Sequence, residues 1–225
     1  MVSKTREDQY QKLIRYREEH GLESLGLMSS QSWFDDPKRL AFTLSRYKFA
    51  SRMLSGCENV LEVGCGDAFA SRIVLQEVER LSVTDFDPIF IEEIKSRQLD
   101  DWAYHEIFTH ALLQSPMPGQ YDGIYLLDVL EHIDPEDQDA FLKNLIEGLD
   151  PHGTMIIGMP SLESQVHASD ISKAGHVNCQ SLPHLREEMG HLFHNVYMFS
   201  MNDEVVHTGF HKMAHYIFAL CSSKQ

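Results

Sequence analysis

The 225 residues carry 34 Asp and Glu against 19 Lys and Arg, for a net charge of −15, and 43% of them are hydrophobic. This composition indicates one ordinary globular domain, with or without an extension, and excludes a chain that is disordered throughout. No apolar stretch approaches the ~18 residues of a spanning helix, so no membrane partner is expected. The acidic surface would repel phosphate backbones, so no nucleic-acid partner is expected.

Two further features concern the cellular compartment. The first residues are polar and lack the apolar core of a secretory signal. The four cysteines contain no C-x-x-C pair, so neither a zinc knuckle nor a redox motif is predicted. We therefore expect reduced thiols and a cytoplasmic location.

The first 55 residues are predicted to form a helical extension, and residues 56–225 a single domain. Spaced apolar positions predict a helix that ends near Gly21 and another over residues 37–54. A loop through Trp33 and Phe34 is expected to join them.

From residue 59 onward, short apolar runs alternate with helical patterns. Strands are predicted over residues 59–63, 81–84, 102–108, 121–127, 154–159, 195–201 and 215–221, and helices over 68–80, 88–97, 134–148 and 181–189. Near-continuous apolar strands of this kind are typical of an α/β fold, in which helices cover both faces of a parallel sheet. The last two strands have no convincing helix between them, which allows them to pair antiparallel. Ligands of such sheets lie at the carboxyl ends of the strands.

The turn after the first strand contains two glycines, Gly64 and Gly66, flanked by acids. A dinucleotide fingerprint would have a third glycine, but Phe69 occupies that place, so a nicotinamide or flavin dinucleotide is disfavoured. Glu62 and Asp67 would repel a phosphate and attract an ammonium or a sulfonium. S-adenosylmethionine carries both of these cations and no phosphate.

An aspartate ends the second strand. Asp85 lies 21 residues after Gly64, where a carboxylate can accept both hydroxyls of a ribose, and Phe86 is placed to pack against an adenine. In the alternative interpretation, Asp85 or Asp87 only begins a turn and caps the following helix.

Together these segments resemble the class I S-adenosylmethionine-dependent methyltransferases over residues 59–221. The resemblance rests on VLEVGCG at 60–66, Asp85, YDGIYLLDVLEH at 121–132 and GTMIIGMP at 153–160. It implies a Rossmann-like seven-stranded sheet, mostly parallel with an antiparallel last strand. His110 stands where this family often has an acid near the adenine amine. The implied cofactor residues are Glu62, Gly64, Cys65, Gly66, Asp67, Asp85, Phe86, His110 and Asp128.

The resemblance also places the end of the fourth strand beside the methyl acceptor. An oxygen acceptor needs a base, for which His132 is the first candidate and His176 the second. In the alternative interpretation, both histidines only order their loops. Asp128, Glu131 and His132 also resemble the cluster that ubiquinone-type O-methyltransferases use for a divalent ion, although the prediction is that no metal is bound.

The implied substrate residues come from several segments. In related enzymes an amino-terminal extension caps the pocket, and the later loops contribute histidines. The predicted substrate residues are Trp33, Arg46, Tyr47, His167, His207 and His211. Core packing and surface charge are the alternative for the residues of the extension.

The sequence therefore predicts a cytoplasmic S-adenosylmethionine-dependent enzyme. A small polar molecule such as a sugar is the expected acceptor, with methylation at oxygen, since the chain resembles methyltransferases of surface-carbohydrate pathways. The alternatives are methylation of a protein or RNA, or binding of the cofactor without catalysis. A homo-oligomer is compatible with the sequence.

Overall fold

The computed structural model describes residues 4–99 and 102–225, so the first three residues of the predicted extension lie outside the described part. Its helices are α1 Gln11–His20, α2 Leu27–Asp35, α3 Lys38–Met53, α4 Ser71–Leu75, α5 Pro88–Arg97, α6 Gln138–Glu147, α7 Asp170–Gly175 and α8 Leu182–Gly190. Its strands are β1 Asn59–Val63, β2 Arg80–Asp85, β3 Ile107–Thr109, β4 Tyr121–Leu127, β5 Leu149–Pro160, β6 Phe193–Asn202, β7 Val205–His207 and β8 Tyr216–Lys224.

The described strands form one sheet in the order β3-β2-β1-β4-β5-β8-β6-β7. The first five are parallel, whereas β8 runs antiparallel between β5 and β6. The predicted fold class is thus confirmed, including the antiparallel last strand. The predicted number of seven strands is wrong. The eighth strand, β7, is a three-residue partner of β6, too short for its alternation to be recognised in sequence.

Both faces of the sheet are covered by apolar residues. Along β4, Ile124 and Leu126 belong to one buried cluster, and Tyr125 and Leu127 belong to the other. Successive side chains of a strand point to opposite faces, so an apolar run of this kind fixes a central strand. The carboxyl ends of β1, β2 and β4 therefore meet at one edge of a rigid sheet.

Three elements differ from their predicted form. The loop expected through Trp33 is the helix α2, which buries only Ser29 and so lacks an apolar stripe in its sequence. The helix expected over residues 68–80 is the shorter α4, which begins after Ala68, whose φ of +51° is not helical, and ends at Leu75. The strand expected over residues 102–108 is the three-residue β3.

In the part of the chain that the structure describes, no helix combines the length and the apolar character needed to cross a membrane. All four cysteines are free thiols, as predicted.

The backbone conformation of the turn after β1 can be tested through its effect on stability. Gly64 has φ of +71°, and a Cβ atom there would lie 2.3 Å from a methyl group of Val129. Gly64→Ala should therefore lower the free energy of unfolding by at least about 2 kcal/mol, measured by urea denaturation. At Gly190 a Cβ would meet nothing within 4 Å, so Gly190→Ala is the matched control. Equal stability of the two variants would contradict this account of the turn.

Candidate functional site

A cleft of about 790 Å³ opens at the carboxyl ends of β1, β2 and β4. This volume suits a small-molecule ligand. Its wall includes most of the predicted cofactor residues, namely Gly64, Cys65, Gly66, Asp67, Asp85, Phe86, His110 and Asp128. His132 and Tyr47 also border it.

Asp85 joins the turns that follow β1 and β2. The backbone N–H of Gly66 donates to its Oδ2 at 3.0 Å, and that of Asp87 donates to its Oδ1 at 3.0 Å. Each oxygen keeps a further lone pair for a ligand hydroxyl. Asp87 is the residue that caps α5, through the N–H of Ile89 at 3.0 Å. The two aspartates therefore have different tasks, and only Asp85 borders the cleft.

Glu62 lies beneath the glycine turn and does not border the cleft. Its carboxylate is 1% exposed and accepts hydrogen bonds of 2.6 Å from the hydroxyls of Tyr47 and Tyr125. Burial raises the pKa of this carboxyl to about 7, against the hydrogen bonds that lower it. The predicted cofactor residue thus links α3 to β4 inside the protein.

Asp67 anchors α2 over the glycine turn. Its carboxylate accepts the N–H of Ser29 at 2.6 Å, the hydroxyl of Ser29 at 3.1 Å and the N–H of Phe69 at 3.1 Å. A Cβ atom at Gly66 would lie only 2.6 Å from the sulfur of Met28, so α2 packs closely on the turn. Met28, Ser29 and Ser32 of α2 line the cleft, and none of them was predicted. The sequence feature that points to these three residues is Asp67, but its partner Ser29 lies 38 residues away in the chain.

Arg46 reaches from α3 to the end of β4. Its guanidinium donates to the carboxylate of Asp128 at 2.7 Å and lies 3.9 Å from the ring centre of Tyr216. Asp128 itself has a left-handed backbone, with φ of +60°. The ion pair fixes this strained residue where the chain leaves β4.

Two histidines and a glutamate meet beyond the carboxyl end of β4, where His132 borders the cleft and Glu131 and His176 do not. One potential ligand atom from each of Glu131, His132 and His176 lies within 4.8 Å of the other two. Nδ1 of His132 lies 2.8 Å from the carbonyl oxygen of Gly175, and Nδ1 of His176 lies 3.1 Å from Oε1 of Gln165. These oxygens only accept, so each Nδ1 carries the hydrogen and each Nε2 presents a lone pair.

The electrostatics of this cluster favour neutral groups. The Glu131 carboxyl is fully buried, and neither oxygen has a hydrogen-bond partner. Burial, followed by the charge of Asp128, raises its pKa well above the usual range. Burial, followed by the neighbouring His132, lowers the pKa of His176. Glu131 was weighed only as a metal ligand in the sequence and was not among the predicted site residues.

The same residues offer donor atoms of the kinds that bind a divalent cation. A carboxylate and two imidazole nitrogens with free lone pairs form a ligand set for such an ion, and the unpartnered Glu131 would gain a counter-charge. In the structure the third member of this possible metal-binding set is His176. The resemblance in sequence had placed Asp128 with Glu131 and His132. Asp128 is instead paired with Arg46.

Several predicted substrate residues lie away from the cleft. Trp33 is 57% exposed, and its helix presents other residues to the wall. His167 is exposed, and His207 bonds to Asn202 at 2.8 Å within the β6–β7 hairpin. Arg46, His167, His207 and His211 do not border the cleft, so Tyr47 alone of the predicted substrate residues does. Nε2 of the cofactor candidate His110 bonds to the carbonyl of Ser115 at 3.1 Å.

Comparison with known proteins agrees with this architecture. Residues 61–155 match the family model described as a methyltransferase domain. The chain therefore contains a methyltransferase domain. The family, the enzyme class and the cofactor predicted from the sequence are thereby confirmed.

Three relatives of this methyltransferase illustrate the match. It is 30% identical over 139 residues to nodulation protein S of Bradyrhizobium diazoefficiens, and 26% identical over 133 residues to the mitochondrial ubiquinone biosynthesis O-methyltransferase of Schizosaccharomyces pombe. The aligned parts cover 59% and 57% of this chain, and 66% and 47% of those proteins. The crystal structure of the N-methyltransferase NodS from Bradyrhizobium japonicum WM9 with S-adenosyl-L-homocysteine is 18% identical, with a TM-score of 0.65, and the match covers 96% of this chain and 99% of that one.

The raised pKa of Glu62 generates a prediction for this methyltransferase. The Glu62 carboxyl binds its proton more tightly in the folded protein than in the unfolded chain. The free energy of unfolding should therefore fall as the pH rises from about 4.5, the ordinary pKa of this group, to about 7, its pKa in the folded protein. Glu62→Gln should remove this decline, which amounts to about 3 kcal/mol, in urea unfolding compared at about pH 5 and about pH 8. The exposed Glu147→Gln is the control and should keep the decline. An unchanged pH profile in Glu62→Gln would refute the assignment.

Proposed function

We propose that this protein transfers the methyl group of S-adenosylmethionine to a small polar acceptor, at an oxygen atom. The observation that carries the proposal is the shared cleft, which has the Asp85 carboxylate and the glycine turn on one side and His132 on the other. The ribose would bind to Asp85, and the adenine would lie between Phe86 and His110. The remaining cleft-lining cofactor candidates would surround the rest of the molecule.

The acceptor would lie at the edge formed by Glu131, His132 and His176. The methyl group of a sulfonium is already activated, so the enzyme has mainly to align the acceptor and remove its proton. The free lone pair on Nε2 of His176 suits this task, and its lowered pKa keeps the imidazole neutral. The proton of the acceptor hydroxyl would pass to that nitrogen as the carbon–oxygen bond forms and the carbon–sulfur bond breaks.

The size of the cleft and the charge of −15 support a small acceptor over a nucleic acid. The amino-terminal helices support the predicted cap over residues 1–55, because α2 and α3 both contribute to the wall. Methylation at nitrogen is the second candidate for the acceptor atom, since NodS is an N-methyltransferase whereas the yeast relative is an O-methyltransferase.

A divalent cation is the second candidate for the acceptor-side chemistry. The buried and unpartnered carboxylate of Glu131 is the observation that favours it. Glu131, His132 and His176 would hold the ion, which would lower the pKa of an acceptor hydroxyl. The carbonyl of Gly175 and the amide of Gln165 would then orient the two imidazoles toward it.

The cofactor side is tested by calorimetric titration with S-adenosylmethionine and S-adenosyl-L-homocysteine. Asp85→Asn should weaken the affinity for both at least about tenfold, because a carboxylate with charge-assisted hydrogen bonds to the ribose is lost. Asp87→Asn is the matched control and should bind like the wild type, since asparagine also caps helices well. Equal affinities of the two variants, or tighter binding of NAD, would contradict the assignment.

The acceptor side is tested by transfer of labelled methyl from S-adenosylmethionine to a panel of sugars and small hydroxylated or amino compounds. On any acceptor that the wild type methylates, His176→Ala and His132→Ala should each lower the rate at least about a hundredfold. The acid limb of the wild-type pH profile should have its midpoint below the ordinary histidine value of about 6.5.

The exposed His184→Ala serves as the control and should be fully active. Rates that survive a chelator support the imidazole base, whereas a loss that a divalent ion restores supports the metal. Full activity in both site variants would overturn either form of the proposal.

A further inference from the structure

A buried amide on α6 lies behind the acceptor-side cluster. Gln138 is 6% exposed, stands at the first position of its helix and does not border the cleft. Neither the proposed base nor the proposed cofactor contacts use it. Polar side chains buried in this way are retained where their hydrogen bonds hold other groups in place.

Gln138 ties the segment of residues 176–180 to α6. Its Oε1 accepts hydrogen bonds from the side-chain amides of Asn178 at 2.8 Å and Gln180 at 2.6 Å. Its Nε2 donates to the carboxylate of Glu188 on α8 at 3.0 Å. One side chain therefore connects two helices to this segment.

The same segment contains one member of the acceptor-side cluster, His176, and contacts another, Glu131. His176 begins it, and the backbone N–H of Asn178 donates to the carbonyl oxygen of Glu131 at 2.9 Å. The His176 imidazole bonds to Gln165, whose own amide donates to the carbonyl of Ser161 at 3.1 Å. The backbone N–H of His176 donates to the carbonyl of Ser172 at 2.8 Å, and its ring packs against His132. Movement of residues 178–180 would release the main chain of Glu131 and loosen the segment that begins at His176.

We infer that Gln138 is a positioning residue, which acts through Asn178 and Gln180 to keep His176 and Glu131 in register beside His132, the member of the cluster that borders the cleft. The inference rests on the proposed role of His176 in methyl transfer. Gln138 itself touches neither the cofactor nor the acceptor. Its effect should therefore be visible in the free protein, without an acceptor.

The test uses nuclear magnetic resonance of the full chain. In Gln138→Leu the amide hydrogen of Asn178 should exchange with solvent at least about tenfold faster, because its segment is no longer tied to α6. The imidazole nitrogen signals of His176 should change from the single tautomer with hydrogen on Nδ1 to a mixture. Asn178→Ala removes the same contact from the other side and should give the same two changes if Gln138→Leu does not fold.

The double variant Gln138→Glu with Glu188→Gln exchanges donor and acceptor and retains every hydrogen bond of the network. It should restore slow exchange and the single tautomer. Affinity for S-adenosyl-L-homocysteine should stay within about twofold of the wild type in all variants, because Asp85 and the glycine turn belong to other elements.

Wild-type exchange and a single tautomer in Gln138→Leu, or in Asn178→Ala, would overturn the inference even where stability falls. A failure of the proposed function would look different. The wild type would not bind S-adenosyl-L-homocysteine, or His176→Ala would remain active, while the response of the segment to Gln138→Leu would be unaffected.

Discussion

The hydrogen bond from the backbone of Gly66 to the carboxylate of Asp85 is the interaction on which the cleft depends. It requires a left-handed glycine turn after β1, and φ of Gly66 is +52°. It also requires β1 and β2 to lie side by side in parallel, so that both turns emerge at one edge. The sheet supplies that alignment through apolar strands buried on both faces. The carboxylate that we propose to bind the ribose is thereby held in place before any ligand arrives, which would lower the cost of binding.

Three carboxylates then attach the amino-terminal helices to this edge. Asp67 accepts from Ser29 of α2, Glu62 accepts from Tyr47 of α3, and Asp128 pairs with Arg46 of α3. Each of these carboxylates has its charge or its lone pairs satisfied by the protein itself. Glu131 differs from them, because it is buried beside two histidines with no partner for either oxygen. A group left in so costly an environment is more easily understood as part of a reaction site than as part of the scaffold.

Much of the sheet and of the cofactor side was predictable, because the determinants are local. The runs at 60–66 and 121–132 combine apolar strands with turns that contain glycine or acid, and the spacing of Asp85 follows from one strand–helix–strand unit. The burial of Glu62 between two tyrosines was not predictable. Its tyrosine partners lie 15 and 63 residues away, and the charge pattern of the turn suggested a cationic ligand instead.

The parts that failed share a physical cause. The helix α2 is held by tertiary contacts with Asp67 and the glycine turn, so its own sequence shows no apolar periodicity. The predicted substrate residue His207 lies in the β6–β7 hairpin, where it bonds to Asn202 and does not border the cleft. His132 and His176 were each recognised in sequence, yet their meeting with Glu131 depends on how the chain between residues 161 and 178 folds back. That folding is set by Gln138, Gln165 and other contacts between distant residues.

The most direct test of the account is a crystal structure of the protein with S-adenosyl-L-homocysteine. The ribose hydroxyls should lie on the Asp85 carboxylate, and the sulfur should be directed toward Glu131, His132 and His176. An adenosyl group bound elsewhere, or a sulfur that faces away from the two histidines, would contradict it.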